Sequence, residues 1–141
     1  MTRDWIFVPV IVQVLLTLLI YVRLIKVKVL AMRAGLVNMD RRALHEDAWP
    51  ESVLQINNNI RNQFELPVLF YVLTILAIIS KHADFLFVVM AWIFVLTRLA
   101  HAFVHCTNNN LRARGALFGI GALVLAIMWL IFIVRILLGL P

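Results

Sequence analysis

The sequence predicts an all-α membrane protein: a four-transmembrane-helix up-down bundle forming a single domain over residues 1–141. Two observations carry this expectation. Hydrophobic residues make up 64% of the chain and mean hydropathy is +0.98, against the roughly 45–50% apolar content of soluble domains. A soluble chain of 141 residues could not hide that much apolar surface. The apolar residues are also gathered into four long runs separated by polar segments, with no internal repeat and no low-complexity linker.

Taken in order, Trp5 to Val22 is apolar apart from Gln13 and Thr17, and the helix is expected to run over about 5–32. It exceeds the roughly 20 residues needed to cross a bilayer. Trp5 and Tyr21 mark its interfaces, and Gly35 is its expected stop. Asn38 to Glu51, with Pro50, reads as a surface loop. The second helix is expected over 52–80, with Ser52 as cap. Its apolar part, Leu66 to Ile79, is too short to span alone, so the polar stretch from Asn57 to Glu65 must belong to the same helix. Pro67 removes a backbone donor and clashes with the carbonyl of Gln63, which predicts a kink or an unpaired carbonyl beside Glu65. Ser80 to Asp84 is a turn, and Asp84 caps a third helix over 84–106. The fourth, over 112–139, carries Gly115, Gly119 and Gly121, small residues that permit close helix approach.

The formal charge is +6, but the basic residues lie between apolar spans, which excludes a nucleic-acid partner and favours anionic lipid head groups or an anionic substrate. Seven Lys or Arg fall between Arg23 and Arg61 and two more between Thr107 and Arg114. The positive-inside rule then puts these loops in the cytoplasm and both termini outside, in a bacterial inner membrane or one of the endoplasmic-reticulum type. Met1 to Trp5 lacks the basic segment and cleavage site of a removable signal peptide, so the first span is expected to be retained. Cys106 is the lone cysteine and reads as a small packing residue.

Residues three and four apart share a helix face. Asn58, Arg61, Asn62 and Glu65 therefore form one face, and Arg98, His101 and His105 another. Arg114 and Phe118, with Arg112 near, open the fourth span. Ionisable groups at such depth tend to line a site or a wet cavity. The expected guest is a small anion with one cationic end: arginines fork onto carboxylates, Glu65 takes an ammonium, and the asparagines bond amides. Structural readings stand beside this one. Glu65 can form an ion pair with Arg61 or Arg98, Arg98 can snorkel, and His101 and His105 can be satisfied packing residues. No metal site is expected, since His101 and His105 lack a third ligand. Lys26 and Lys28 are expected on lipid phosphates, Arg135 as an interfacial anchor, and His45 and His82 as solvated loop residues.

The chain resembles the MAPEG family, the membrane-associated proteins of eicosanoid and glutathione metabolism, as a small member resembling microsomal glutathione transferase and prostaglandin E synthase. Two segments carry the resemblance: Arg61-Asn62-Gln63-Phe64-Glu65-Leu66-Pro67-Val68-Leu69-Phe70, and Arg98-Leu99-Ala100-His101 followed by Arg112 and Arg114. It implies a homotrimer with glutathione bound between subunits on the cytoplasmic side and a lipophilic small molecule or lipid beside it. Arg61, Asn62, Glu65 and His101 would then hold the tripeptide, with Arg98, Asn58 and His105 around it, and Arg114 would stabilise its thiolate. Arg23 would reach in from the adjacent subunit. Departures are visible: Asn58 stands where the family commonly has arginine, His105 and Phe118 replace tyrosines, and Gly115 replaces a small hydroxyl residue. The expected function is a glutathione-dependent transferase or peroxidase acting on lipophilic electrophiles. Its alternative is a non-catalytic lipid-binding or scaffold protein of the same fold. A transporter or channel subunit is disfavoured because the polar face is confined to one leaflet.

Overall fold

The computed structural model describes residues 4–140. Most of the Met1–Trp5 segment, on which the signal-peptide expectation rests, and the charge of Arg3 fall outside that range. Four stretches are long and apolar enough to cross a membrane: Phe7–Arg33, Glu51–Ile79, Phe85–Cys106 and Leu111–Leu138. With no strand among the described residues, the all-helical bundle expected from the sequence is present.

Helix α1 (Phe7–Arg33) is entered through a 3-10 turn at Asp4–Ile6. It ends in a Schellman motif: the Leu36 N–H donates to Ala31 O and the Gly35 N–H to Met32 O, both at 3.1 Å, with Gly35 at φ 69°. That left-handed conformation is open to glycine at no steric cost, so the chain turns sharply here. The following loop folds back on α1. Trp49 donates its indole N–H to Arg42 O at 3.2 Å, and Lys28 Nζ lies 5.0 Å from the Trp49 ring centroid. Lys28 thus faces an aromatic ring of the folded-back loop.

The second span is not one helix. Helix α2 (Glu51–Gln63) stops, Phe64 and Glu65 leave helical geometry, and α3 (Leu66–Ile79) restarts. Pro67 is the cause: placed in the first turn of α3, its missing N–H is needed by no carbonyl, whereas in a continuous helix its ring would strike Gln63 O. The expected kink is therefore a full interruption, and it leaves Glu65 exposed at the head of α3. Ser52 is not the cap of α2 either, because the helix begins one residue earlier with Pro50 at the cap position.

Helices α4 (Phe85–Cys106) and α5 (Leu111–Leu138) are capped as side-chain chemistry dictates. Asp84 Oδ1 accepts from Phe87 N at 2.9 Å, and Asn110 Oδ1 accepts from Arg112 N at 3.0 Å and Ala113 N at 3.1 Å. Asp84 also takes the Arg135 guanidinium at 2.7 Å, so Arg135 joins α5 to the start of α4. His82 is tied down as well, between Ser80 Oγ and Leu140 O, each at 2.9 Å.

Helix α4 packs against α5 on one side and against α1 and α2 on the other. Phe70 of α3 stacks on Phe94 of α4 with centroids 4.7 Å apart, in a core shared with Phe87, Val95, Met128 and Phe132. Gly121 lets α5 approach α4: a Cβ there would meet Thr97 Oγ1 at 2.8 Å. Outward faces of α1 and α5 remain apolar and exposed, as at Leu19 and Leu137, which suits lipid contact. Because lipid is itself apolar, tight packing and interhelical hydrogen bonds hold such a bundle together.

Those interhelical bonds are concentrated in the polar half. Gln13 donates to Gln63 Oε1 at 3.0 Å, Gln63 to Asn59 Oδ1 at 3.1 Å, and Asn59 to Ala102 O at 3.3 Å and Cys106 Sγ at 3.1 Å. This buried amide ladder joins α1, α2 and α4. Arg23 Nη2 donates to Cys106 O at 2.7 Å, and Gln55 Nε2 donates to His105 O. The orphan carbonyls ending α4 are thus satisfied from α1 and α2, which fixes the placement of its last turns, where the histidines sit.

Candidate functional site

A cleft of about 250 Å³ opens between the α2–α3 break, α4 and the start of α5, lined by Asn62, Glu65, His101, Leu111, Arg114, Gly115 and Phe118. Four residues singled out from sequence, Asn62, Glu65, His101 and Arg114, are brought together here. The arrangement follows from local structure. Asn62 is in the last turn of α2, Glu65 in the break, His101 two turns from the end of α4, and Arg114 in the first turn of α5.

Arg98 lies beneath the cleft, fully buried, with its guanidinium carbon 5.6 Å from the Phe118 ring centroid. Its Nη2 donates to Asn62 O at 3.0 Å, while Nε and Nη1 meet no protein acceptor. It does not snorkel. A buried cation with two idle donors is costly, and a carboxylate arriving in the cleft would offset that cost. His101 is also buried, with Nδ1 unpartnered, and its ring lies 5.9 Å from that of Phe118. Glu65 forms no ion pair with Arg61 or Arg98, so neither structural pairing considered for it is made. Its carboxylate stands exposed at the head of α3, where the helix dipole favours negative charge.

His105 sits behind the cleft, fully buried. Its Nδ1 lies 3.4 Å from Asn62 Nδ2, and its Nε2 lies 3.2 Å from Arg114 Nη1. Arg114 Nη1 also donates to Asn109 Oδ1 at 2.6 Å.

Other sequence candidates are placed elsewhere. Arg61 does not line the cleft; it pairs with Glu46 on the loop after α1. Asn58 is exposed and outside the cleft. Arg23 is on the far flank of α4, where with Lys26 it lines a separate groove of about 540 Å³ between α1 and α4. Within one chain these three do not join the others. Asn59, Gln63 and Asn109 also take part in the polar contacts, though the motif spacing does not bring them out. Asn59 and Gln63 are four residues apart on a helix, and Gln13 interrupts an apolar span, which is the signal of an internal polar contact.

The geometry is that of an electropositive cleft with one carboxylate at its edge, opening beside an apolar bundle. The sequence model of the MAPEG family matches residues 6–134, nearly the whole chain. The chain belongs to the MAPEG family. Comparison with curated proteins found no match, and comparison with solved structures found none. MAPEG proteins include glutathione-dependent enzymes. This MAPEG chain is an integral, multi-pass membrane protein by its four apolar spans.

Proposed function

We propose that this MAPEG protein is a glutathione-dependent membrane transferase or peroxidase that acts on lipophilic electrophiles. One observation carries the reading: Asn62, Glu65, His101 and Arg114 line a single cleft, and buried Arg98 is bonded to Asn62 O and lies against the Phe118 ring of that lining.

In this reading Arg98 forks onto a glutathione carboxylate, Glu65 takes the amino group, and Asn62 and His101 bond the peptide. Glutathione supplies a thiol whose deprotonated form is the nucleophile. Arg114 holds that negative charge, and a cation beside a thiol favours the thiolate. The apolar surface beside the cleft receives the electrophile laterally from the bilayer. The cleft is open on its Glu65 and Gly115 side, both exposed residues, which suits completion by a neighbour in a homotrimer. Arg23 belongs to the site as the contribution of that neighbour. The excess of Lys and Arg on the connecting loops supports a cytoplasmic position for the cleft, with membrane lipids around it.

Purified protein assayed with an aromatic halide and with a lipid hydroperoxide, with and without glutathione, tests the proposal. Turnover of either that requires glutathione supports it. No turnover of both, together with retained lipid binding, favours the non-catalytic lipid-binding protein of the same fold.

A further inference from the structure

We propose that His105 is a positioning residue that clasps Arg114 from behind, leaving its charge uncompensated and its free N–H groups aimed at the cleft. The inference rests on the reading of the cleft as a thiolate site.

Counting donors and acceptors leads to it. Arg114 Nη1 carries two N–H bonds, and both are used: one on Asn109 Oδ1 at 2.6 Å, the other on His105 Nε2 at 3.2 Å. Nη2 and Nε have no partner among the described residues, and they are the groups left for a ligand. Both acceptors are neutral, and no carboxylate lies within ion-pair distance of Arg114 among the described residues. A carboxylate in either place would hold the guanidinium as firmly but cancel much of the field that an anion in the cleft would feel.

The second ring nitrogen fixes the first. If Nε2 accepts from Arg114, the imidazole is neutral with its proton on Nδ1, facing the Asn62 amide at 3.4 Å. Oxygen and nitrogen of an amide exchange by a half-turn, so Asn62 presents Oδ1 and accepts from Nδ1–H. The Asn62 backbone carbonyl meanwhile accepts from Arg98. The ring is held edge-on by His101 at 5.6 Å, and Gln55 holds the His105 carbonyl. A line of hydrogen bonds thus runs from Arg98 through Asn62, His105 and Arg114 to Asn109, setting the two arginines relative to one another across α2, α4 and α5.

The test uses the full chain in detergent, with glutathione as probe, and follows thiolate absorbance of the bound tripeptide against pH. In the wild type the bound thiol titrates below its free value by roughly one pH unit or more. His105→Leu should return the titration towards the free value and lower kcat at least tenfold, with the glutathione Kd changed less than about threefold. His105→Gln, which keeps one donor and one acceptor, should restore most of the shift. Asn109→Gly removes the other half of the clasp in a residue whose φ of 49° glycine tolerates, and should give an intermediate shift if His105→Leu fails to fold. A low titration point retained in folded His105→Leu overturns the role of His105, and one retained in Asn109→Gly overturns the clasp on Arg114. A wild type that binds no glutathione overturns the site reading and this proposal with it.

Discussion

Arg98 Nη2 donates to the backbone carbonyl of Asn62 at 3.0 Å, so the one fully buried cation of α4 is fastened to the last turn of α2 by a neutral group. The bond leaves the rest of the guanidinium without acceptors, and a protein that keeps such a group must gain something from it. Each idle buried donor costs about 1–3 kcal/mol.

Arg98→Met should therefore raise the melting temperature of the ligand-free protein while abolishing the added stability that glutathione gives the wild type. Thermal melts of both forms with and without glutathione check this. A variant that is destabilised yet still protected by glutathione would show that Arg98 serves packing only.

Arg114→Ala should lower kcat on the order of a hundredfold, the usual cost of losing one preorganised charge-stabilising group, with little change in glutathione affinity. Steady-state kinetics beside a direct binding measurement separates the two quantities. Equal losses in both would assign Arg114 to uniform binding.

The amide ladder makes a stability prediction independent of any ligand. Gln63→Leu leaves Gln13 and Asn59 without their partner and should cost about 1–3 kcal/mol. Adding Gln13→Leu should cost less than its effect alone, because the two amides are bonded at 3.0 Å. Additive losses in a double-mutant cycle would mean the pair is uncoupled.

At the other end of the bundle, Asp84→Ala removes the α4 cap, worth about 1 kcal/mol, together with the Arg135 pair. Burial pushes the Asp84 carboxyl up, but its bonds from Arg135 and Phe87 outweigh this and hold it below the usual carboxylate range. A depressed carboxylate contributes stability above its unfolded pKa, near 4, and loses it as pH falls through the folded value. Melting temperature against pH should thus decline more steeply on the acid side in the wild type than in Asp84→Ala.

The sequence made the bundle readable because run length and hydropathy are local properties: each span is long enough to cross a bilayer whatever it packs against. Pro67 announced a disturbance beside Glu65, though not its size, since a kink and a full break differ only in how far the chain relaxes. Helical spacing likewise placed Asn62 with Glu65 and Arg98 with His101. Arg61 shares that spacing, but its partner Glu46 comes from an irregular loop that has no periodicity to read. Helix α2 carries two polar faces, one through Asn58 and Asn62 and one through Asn59 and Gln63. Which turns inward depends on Gln13 of α1, a tertiary fact. Arg23 reads as a span-end cation, and its bond to the Cys106 carbonyl is set by how α1 crosses α4.

The proposed function requires that side chains of α2, the α2–α3 break, α4 and α5 grip an anionic thiol tripeptide at one membrane boundary. Isothermal titration of the detergent-purified protein with glutathione tests it most directly. A saturable heat, halved or abolished by Arg98→Met and Glu65→Gln and accompanied by a raised melting temperature, is the expected result. No heat and no protection against unfolding would contradict it.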